Sequence, residues 1–516
     1  MAILWTILVI SFVLSKHVLA ISVPLHEDSL VVDLGYARYK AGYNDTEHIY
    51  TFKNIRFGDP PLRQHRFKPP RPVSTVNRNV NDGSVGFKCP QAYPEWFLKS
   101  RADAAGITTE ALRDNLLNDN TMNEDCLFLD KDSTSFDPSG LLATSIHDRG
   151  EGVIFVALNY RLGLFGWLNG LGDEDIFPNS ALQDQRLGLK WVKKYIHLFG
   201  GDPARVTVFG ESAGGGSIMH HITGDGGRSK VPFERAIIQS PGWLTSLPIV
   251  QLWNQTLVAA SRRAGRPITN GSDLASLNYT TLLRVNSDIV YKSNYGDFGY
   301  GPTVDGGFVP AFPGVSLLKG DFDKSVELML GHNSHESDIF TSPAIDSREK
   351  IVTNLRSSIH GITDSAIDRI LTDLYPPPQQ TDLYTTEYGR AALLRSEYTF
   401  VCNTRYLAIS FNNMTWSYRF EVPPGNHAQD LAYTFHKPGD ANVSSDLAVQ
   451  MQTYFTRFAA SGNPNKPGSG PKWQLYGENA HIATFGGSGV GTATDDAKNG
   501  RCVYWQEGTY TTELDS

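Results

Sequence analysis

The sequence predicts an α/β fold, with a mostly parallel central sheet flanked by helices. The stretches "GVIFVALNY" (Gly152–Tyr160), "VTVF" (Val206–Phe209) and "VELMLG" (Val326–Gly331) carry that prediction. Each is a short apolar run, and the second is β-branched and aromatic throughout. Continuous apolar character suits a strand covered on both faces, as the strands of parallel sheets are. A chain of 516 residues can bury a large core, and the Pro/Gly-rich pieces "PPPQQ" (Pro376–Gln380) and "NPNKPGSGPK" (Asn463–Lys472) read as surface loops rather than linkers. One large domain is expected over residues 21–516.

The chain opens with "MAILWTILVISFVLSKHVLAISVP". Its apolar run, Ile3 to Leu14, falls short of the ~20 residues that span a bilayer. With Val18-Leu19-Ala20 as a small-residue cleavage site, residues 1–20 read as a secretory signal peptide, an uncleaved signal anchor being the alternative. The protein is therefore expected outside the cell. The tail "TTELDS" carries neither a retention signal nor a lipid-anchor pattern. Net charge is −8 with no Lys/Arg cluster, which argues against a nucleic-acid surface. Four cysteines, Cys89, Cys126, Cys402 and Cys502, suit an oxidising compartment and allow three pairings; two local loops, Cys89–Cys126 and Cys402–Cys502, are the simplest. Asn44, Asn254, Asn270, Asn278, Asn413 and Asn442 head glycosylation sequons.

In "NEDCLFLDKDSTSFDPSG" (Asn123–Gly140), Leu127-Phe128-Leu129 starts a strand that stops against a polar run. The next strand follows only at Gly152. Further on, Val206–Phe209 leads into Gly210-Glu211-Ser212-Ala213-Gly214, a Gly-x-Ser-x-Gly pentapeptide followed by a helix start, "SIMHH". Strand, sharp turn and helix are the context in which a serine is presented as a nucleophile. The flanking glycines let strand and helix approach, and the helix N-terminus favours developing negative charge. An ordinary serine in a glycine-rich turn is the bland alternative.

A serine hydroxyl needs a base, and the base an orienting carboxylate, in the chain order Ser, Asp/Glu, His. "VELMLGHNSHESDIF" (Val326–Phe340) places Glu336 just past a strand end, and "VPPGNHAQDLAYTF" (Val422–Phe435) places His427 in a Pro/Gly loop. The predicted triad is Ser212, Glu336 and His427. His332, His335 and Glu336, with His220 and His221, are metal-ligand residue types, but their spacing is not that of a zinc helix motif, so no metal or other cofactor is expected.

Taken together, these residues resemble the type-B carboxylesterase/lipase family, the cholinesterase-like branch of the α/β-hydrolases, and most of all its secreted fungal members. "FKNIRFGDPPLRQHRFKPPRP" (Phe52–Pro72), "NEDCLFL", "ALNYRLGLFGWL" (Ala157–Leu168), "LQDQRLGLKWVKKYIHLFGGDPARVTVFGESAGG" (Leu182–Gly215), "AIIQSPG" (Ala236–Gly242) and "GPTVDGGFVP" (Gly301–Pro310) follow in family order. The family's Gly-x-Asn-x-x-Glu pattern falls on Gly331, Asn333 and Glu336, and its loop histidine on His427, with Asp430, Tyr433 and Phe435 matching. The resemblance implies the pairings Cys89–Cys126 and Cys402–Cys502, an α/β-hydrolase fold, and hydrolysis of small-molecule or lipid esters.

It also implies that something is missing. Members follow "NEDCLFLD" with a buried strand ending in a His-Gly-Gly-Gly type turn, whose backbone N–H groups line the oxyanion hole. No His-Gly-Gly occurs in this sequence. A segment of roughly 30 residues is expected to be absent after Asp130, leaving the sheet short of a central strand between Gly152–Tyr160 and Val206–Phe209. Ala213 then remains as the evident oxyanion donor. The expected function is ester hydrolysis with doubtful competence; the alternative is a catalytically dead relative used for binding or adhesion.

Overall fold

The computed structural model describes residues 8–13, 30–130, 136–149, 152–242, 248–466 and 470–511. The predicted cleavage site at Ala20 and part of the junction after Asp130 lie outside them. The main sheet has eight strands: β1 (Leu8–Val13), β2 (Val153–Ala157), β3 (Val206–Glu211), β4 (Arg235–Gln239), β5 (Glu327–Asn333), β6 (Trp416–Phe420), β7 (His481–Gly486) and β8 (Gly489–Thr494). Their order is β8-β7-β6-β5-β4-β3-β1-β2. Strands β3 to β7 pair in parallel, and β8 returns antiparallel.

Both faces of this sheet are covered, as the apolar runs require. In β3, Val206 and Val208 point into one core with Ile218, Met219 and Ile222, while Phe209 joins a second core with Tyr454, Phe455 and Phe458. Helix α1 (Ser139–Arg149) packs on β2, α2 (Ser180–Tyr195) contributes Leu189 and Val192 to the first core, and α3 (Ala213–Thr223) lies on β3 and β4. Helix α4 (Ser445–Ser461) brings the aromatic residues of the second core and reaches α1, β1 and β4. Central strands with alternate residues in two cores cannot read as amphipathic, which is why their sequence is apolar throughout.

The expected gap between the strands of Val153–Ala157 and Val206–Glu211 is where the sequence puts it, and it is one strand wide. These two strands do not pair with each other. Both pair antiparallel with β1, Val9 to Val13 lying opposite Ala157 to Val153, and Leu8 to Phe12 opposite Gly210 to Val206. Among the described residues no parallel strand lies between them, and the apolar segment read as a signal peptide occupies the slot. Phe128–Leu129 does form the short strand expected there, against Ile55–Arg56. It ends where Asp130 donates its N–H to the Ala157 carbonyl (2.8 Å) and accepts the Ala157 N–H on its carboxylate (2.9 Å).

Backbone groups in a covered sheet need partners, and each lost hydrogen bond costs about 1 kcal/mol net. Two ladders meet on β1, so their loss compares with a domain's whole ~5–15 kcal/mol. A chain beginning at Ile21 should therefore melt several degrees lower than one beginning at Met1. Inserting a parallel strand and glycine turn after Asp130 should abolish that difference, because the insert would take the slot. Thermal unfolding of the four chains measures the coupling, and additive effects would show that β1 does not hold the slot.

Candidate active site

Ser212 stands at the sharp turn between β3 and α3 with φ 58° and ψ −123°, a region that a residue with a side chain seldom occupies. Two of the turn's glycines, Gly210 and Gly215, are sterically required. A Cβ on Gly210 would sit 2.6 Å from the Gly214 carbonyl carbon, and one on Gly215 would sit 2.9 Å from the Gln239 oxygen. The turn is held by Ser212 N–H donating to the Gln239 carbonyl (3.0 Å) and by Gly216 and Gly242 donating to the Ser212 carbonyl (2.9 and 3.0 Å). Ala213, the first residue of α3, is exposed.

Glu336 lies three residues beyond β5 and His427 in the loop after β6, so all three residues lie past the C-terminal ends of parallel strands, where open α/β sheets place their sites, although His427 Nε2 makes no hydrogen bond to Ser212. The two loops are stitched together by Ser334 N–H to the Phe420 carbonyl (3.0 Å) and His335 N–H to the Gly425 carbonyl (2.8 Å). That brings the fully buried Glu336 Oε2 against His427 Nδ1 in a very short contact. The other oxygen, Oε1, accepts the Ser240 hydroxyl (2.7 Å) and the Asn333 N–H (2.5 Å). Burial alone would raise the Glu336 carboxyl, but His427 and these donors outweigh it and hold it below the usual range. The imidazole packs edge-on against Phe340 and lies 4.3 Å, centroid to centroid, from Phe400.

Sequence reading missed what surrounds this pair. Glu211, the second residue of the pentapeptide, is buried with Oε1 3.0 Å from His427 Nε2. The two atoms are not aligned as a hydrogen bond, so the contact is an ion pair when the ring is protonated. Burial lifts Glu211 to about 8, with His427 opposing and Asp430 and Glu336 adding. Burial would lower His427, yet Glu211 and Glu336 overcome it and raise it to about 8. Asp430, named by its family pattern alone, lies beneath: it accepts from Tyr418 OH (2.7 Å), Gln239 Nε2 (2.7 Å) and Asn333 Nδ2 (3.2 Å). The Glu211 signal was visible, since it adjoins the serine; Ser240, Gln239 and Tyr418 come from other strands and had no local mark.

The remaining histidines stand apart. His220 and His221 are buried in α3, where His221 Nε2 meets Gln185 Oε1 at 3.0 Å. His335 is exposed and bonds the Pro424 carbonyl, and His436 meets the Ser445 hydroxyl. His332 faces away from Glu336's partners, toward Asp495 and Asp496. Disulfides join Cys89–Cys126 and Cys402–Cys502. Asn44, Asn254, Asn270, Asn278 and Asn442 are exposed and Asn413 is half-buried. No helix among the described residues is long and apolar enough to cross a membrane.

Comparison with known proteins identifies the family. A sequence profile of the "Carboxylesterase family" matches residues 37–131 and 128–505, in two pieces that meet at the interrupted strand. "Carboxylesterase patB" of Aspergillus clavatus is 32% identical, covering 92% of this chain and 96% of its own. A "Secreted lipase" of Arthroderma benhamiae is 32% identical over 62% of each chain. Among solved structures, Aspergillus niger EstA superposes with a TM-score of 0.76 at 21% identity, over 93% of this chain and 98% of its own, a likeness of fold.

For His427 to act as a base, Nε2 must be free of its own proton, and Glu211 and Glu336 keep the ring protonated up to about 8. Ester hydrolysis should therefore rise with pH through about 8, not through the ordinary ~6.5. By linkage, the same contacts stabilise the fold fully below ~6.5, and that contribution is lost as pH rises through about 8. Glu211→Gln should move the rise about one pH unit toward acid. A pH–rate profile that does not move would rule out Glu211 as the group that holds the imidazolium.

Proposed function

The chain belongs to the carboxylesterase family, and on that premise we propose that it is a secreted serine ester hydrolase whose nucleophile is Ser212, general base His427 and orienting carboxylate Glu336. The observation that carries this reading is the buried Glu336–His427 pair, gathered with the strained Ser212 turn at one edge of the sheet. Ser212 Oγ attacks the ester carbonyl while His427 Nε2 takes its proton, and Glu336 holds the ring through Nδ1. The Ala213 N–H donates to the oxyanion at the start of α3. Collapse expels the alcohol with the proton from His427, and water then releases the acid from Ser212. No cofactor enters these steps. Small-molecule or lipid esters are the substrate class.

Secretion is supported by two disulfides, by exposed sequon asparagines and by the kinship to a secreted lipase. On this reading residues 1–20 are the signal peptide and residues 21–516 one hydrolase domain. The cost falls on the sheet, because cleavage there removes β1 from its slot.

A second reading, a catalytically silent member used for binding, is favoured by the same slot. A parallel strand would deliver its following glycine turn beside Ser212. Because β1 runs antiparallel, the end it presents opposite Gly210 is Leu8, its own beginning. The ladder is filled without the oxyanion turn that a family strand would bring. Removing one oxyanion donor costs ~10²–10³ in rate, and two are wanting here.

Three expected results separate these readings. A fluorophosphonate probe should label the form with the segment restored after Asp130, and Ser212→Ala should abolish labelling and ester hydrolysis together. His427→Gln should remove activity while His436→Gln keeps most of it. The unrestored chain should hydrolyse p-nitrophenyl butyrate at least ~10³-fold more slowly than the restored one. Labelling that survives Ser212→Ala would overturn the nucleophile, and equal loss at both histidines would overturn the base. Full activity without restoration would mean that another loop supplies the oxyanion donors.

A further inference from the structure

On the side of β5 away from the triad, His332 lies 97% buried, its side chain only 3% exposed. Its Nδ1 is 3.1 Å from the Asn333 carbonyl oxygen. A carbonyl can only accept, so Nδ1 carries the hydrogen and Nε2 of the neutral ring presents a lone pair. Nε2 has no hydrogen-bond partner. It faces two carboxylates, with Asp495 Oδ1 at 3.9 Å and Asp496 Oδ1 at 4.0 Å. A lone pair directed at two anions is unfavourable unless positive charge sits between them. A proton on Nε2 supplies one such charge, and Asp495 and Asp496 raise the ring to about 9 against its burial, yet at 3.9 and 4.0 Å neither carboxylate closes an N–H···O bond, which needs about 2.7–3.2 Å.

A cation fits the gap. The three ligand atoms lie within 4.8 Å of one another. Ligand atoms around tetrahedral zinc, at bonds of about 2.0–2.2 Å, stand roughly 3.3–3.6 Å apart. The group therefore needs to contract by roughly 0.3–1.5 Å per pair, most of it at Asp496, which is 64% exposed and held from outside by Arg419. Asp495 is the fixed partner: Tyr476 OH donates to its Oδ2 (2.8 Å) and the Ala497 N–H to its Oδ1 (2.9 Å). An Nδ1–H held by a backbone carbonyl is the support that metal-bound imidazoles use. We propose that His332, Asp495 and Asp496 form a site for a divalent transition cation of the zinc type, with water from the exposed Asp496 side completing its shell. One imidazole nitrogen among oxygens favours Zn²⁺ over Mg²⁺ or Ca²⁺, which take oxygen ligands. Such an ion would tie the end of β5, four residues before Glu336, to the segment that follows β8. The sequence alone had set a metal aside because it weighed His332 with His335 and Glu336, which the fold keeps apart from Asp495 and Asp496.

One charge already competes for the site. Arg419, paired across from His332 on β6, puts Nη1 3.2 Å from Asp496 Oδ1, while its Nε and Nη2 bind Glu421. The test is titration of the full chain, stripped with EDTA, with ZnCl₂ by calorimetry, and with Co²⁺ by visible absorption. The intact protein should bind one Zn²⁺ with a raised melting temperature and give a Co²⁺ ligand-field band. Asp496→Asn, an exposed change, should weaken binding at least ~10-fold, and Arg419→Gln should tighten it. No Zn²⁺ binding by the intact chain, or binding unchanged in both variants, overturns the site. None of these measurements depends on turnover.

Discussion

Everything in this molecule is arranged around the space between β2 and β3. The two strands run in the same direction, one strand's width apart, and each offers a row of backbone donors and acceptors to it. Hydrophobic cores on both sides exclude water from those groups, so they must be met by another strand. Leu8–Val13 meets them because it is apolar and long enough to span both ladders. An antiparallel strand is as good a hydrogen-bonding partner as a parallel one. The slot selects for length and hydrophobicity, and it does not select for direction.

Direction matters for chemistry. At the catalytic edge the sheet supplies strain at Ser212 and a carboxylate–imidazole pair from β5 and β6, all independent of what fills the slot. These parts are tightly specified. Glu336 has every oxygen engaged, and its loop is bonded to that of His427. The less expected feature is the excess of buried acid. Glu211, Glu336 and Asp430 surround one imidazole, and burial raises Glu211 and Asp430 toward neutrality. Two carboxylates facing a single ring stabilise its cationic form, the form that has already taken a proton.

Much of this was legible in the chain. The apolar runs became β2, β3 and β5, and the Gly-x-Ser-x-Gly turn became a strained elbow, because both are local patterns with local causes. The place of the gap was legible only through the family resemblance, since Phe128–Leu129 forms a different strand, against Ile55–Arg56. What the sequence could not show is who fills the slot. Residues 3–14 carry the hydrophobicity of a signal peptide and that of a central strand equally well, and composition does not distinguish the two. Nor could spacing reveal that Asp495 and Asp496 lie beside His332, because β5 and β8 meet only through the sheet order.

The two fates of the N-terminal segment are therefore linked to the two fates of the enzyme. Retained, Leu8–Val13 completes the ladders without bringing a glycine turn beside Ser212. Removed, the same segment opens a channel of unpaired backbone between β2 and β3, and the fold must find its stability in the outer strands, the two disulfides and the aromatic core around α4. Only a parallel strand followed by a glycine turn satisfies both demands at once, because it is the one arrangement in which the group that closes the ladder also ends beside the serine. The family's strand order answers that geometric requirement. On the proposed reading, the ladder and the oxyanion hole are met by different segments of this chain.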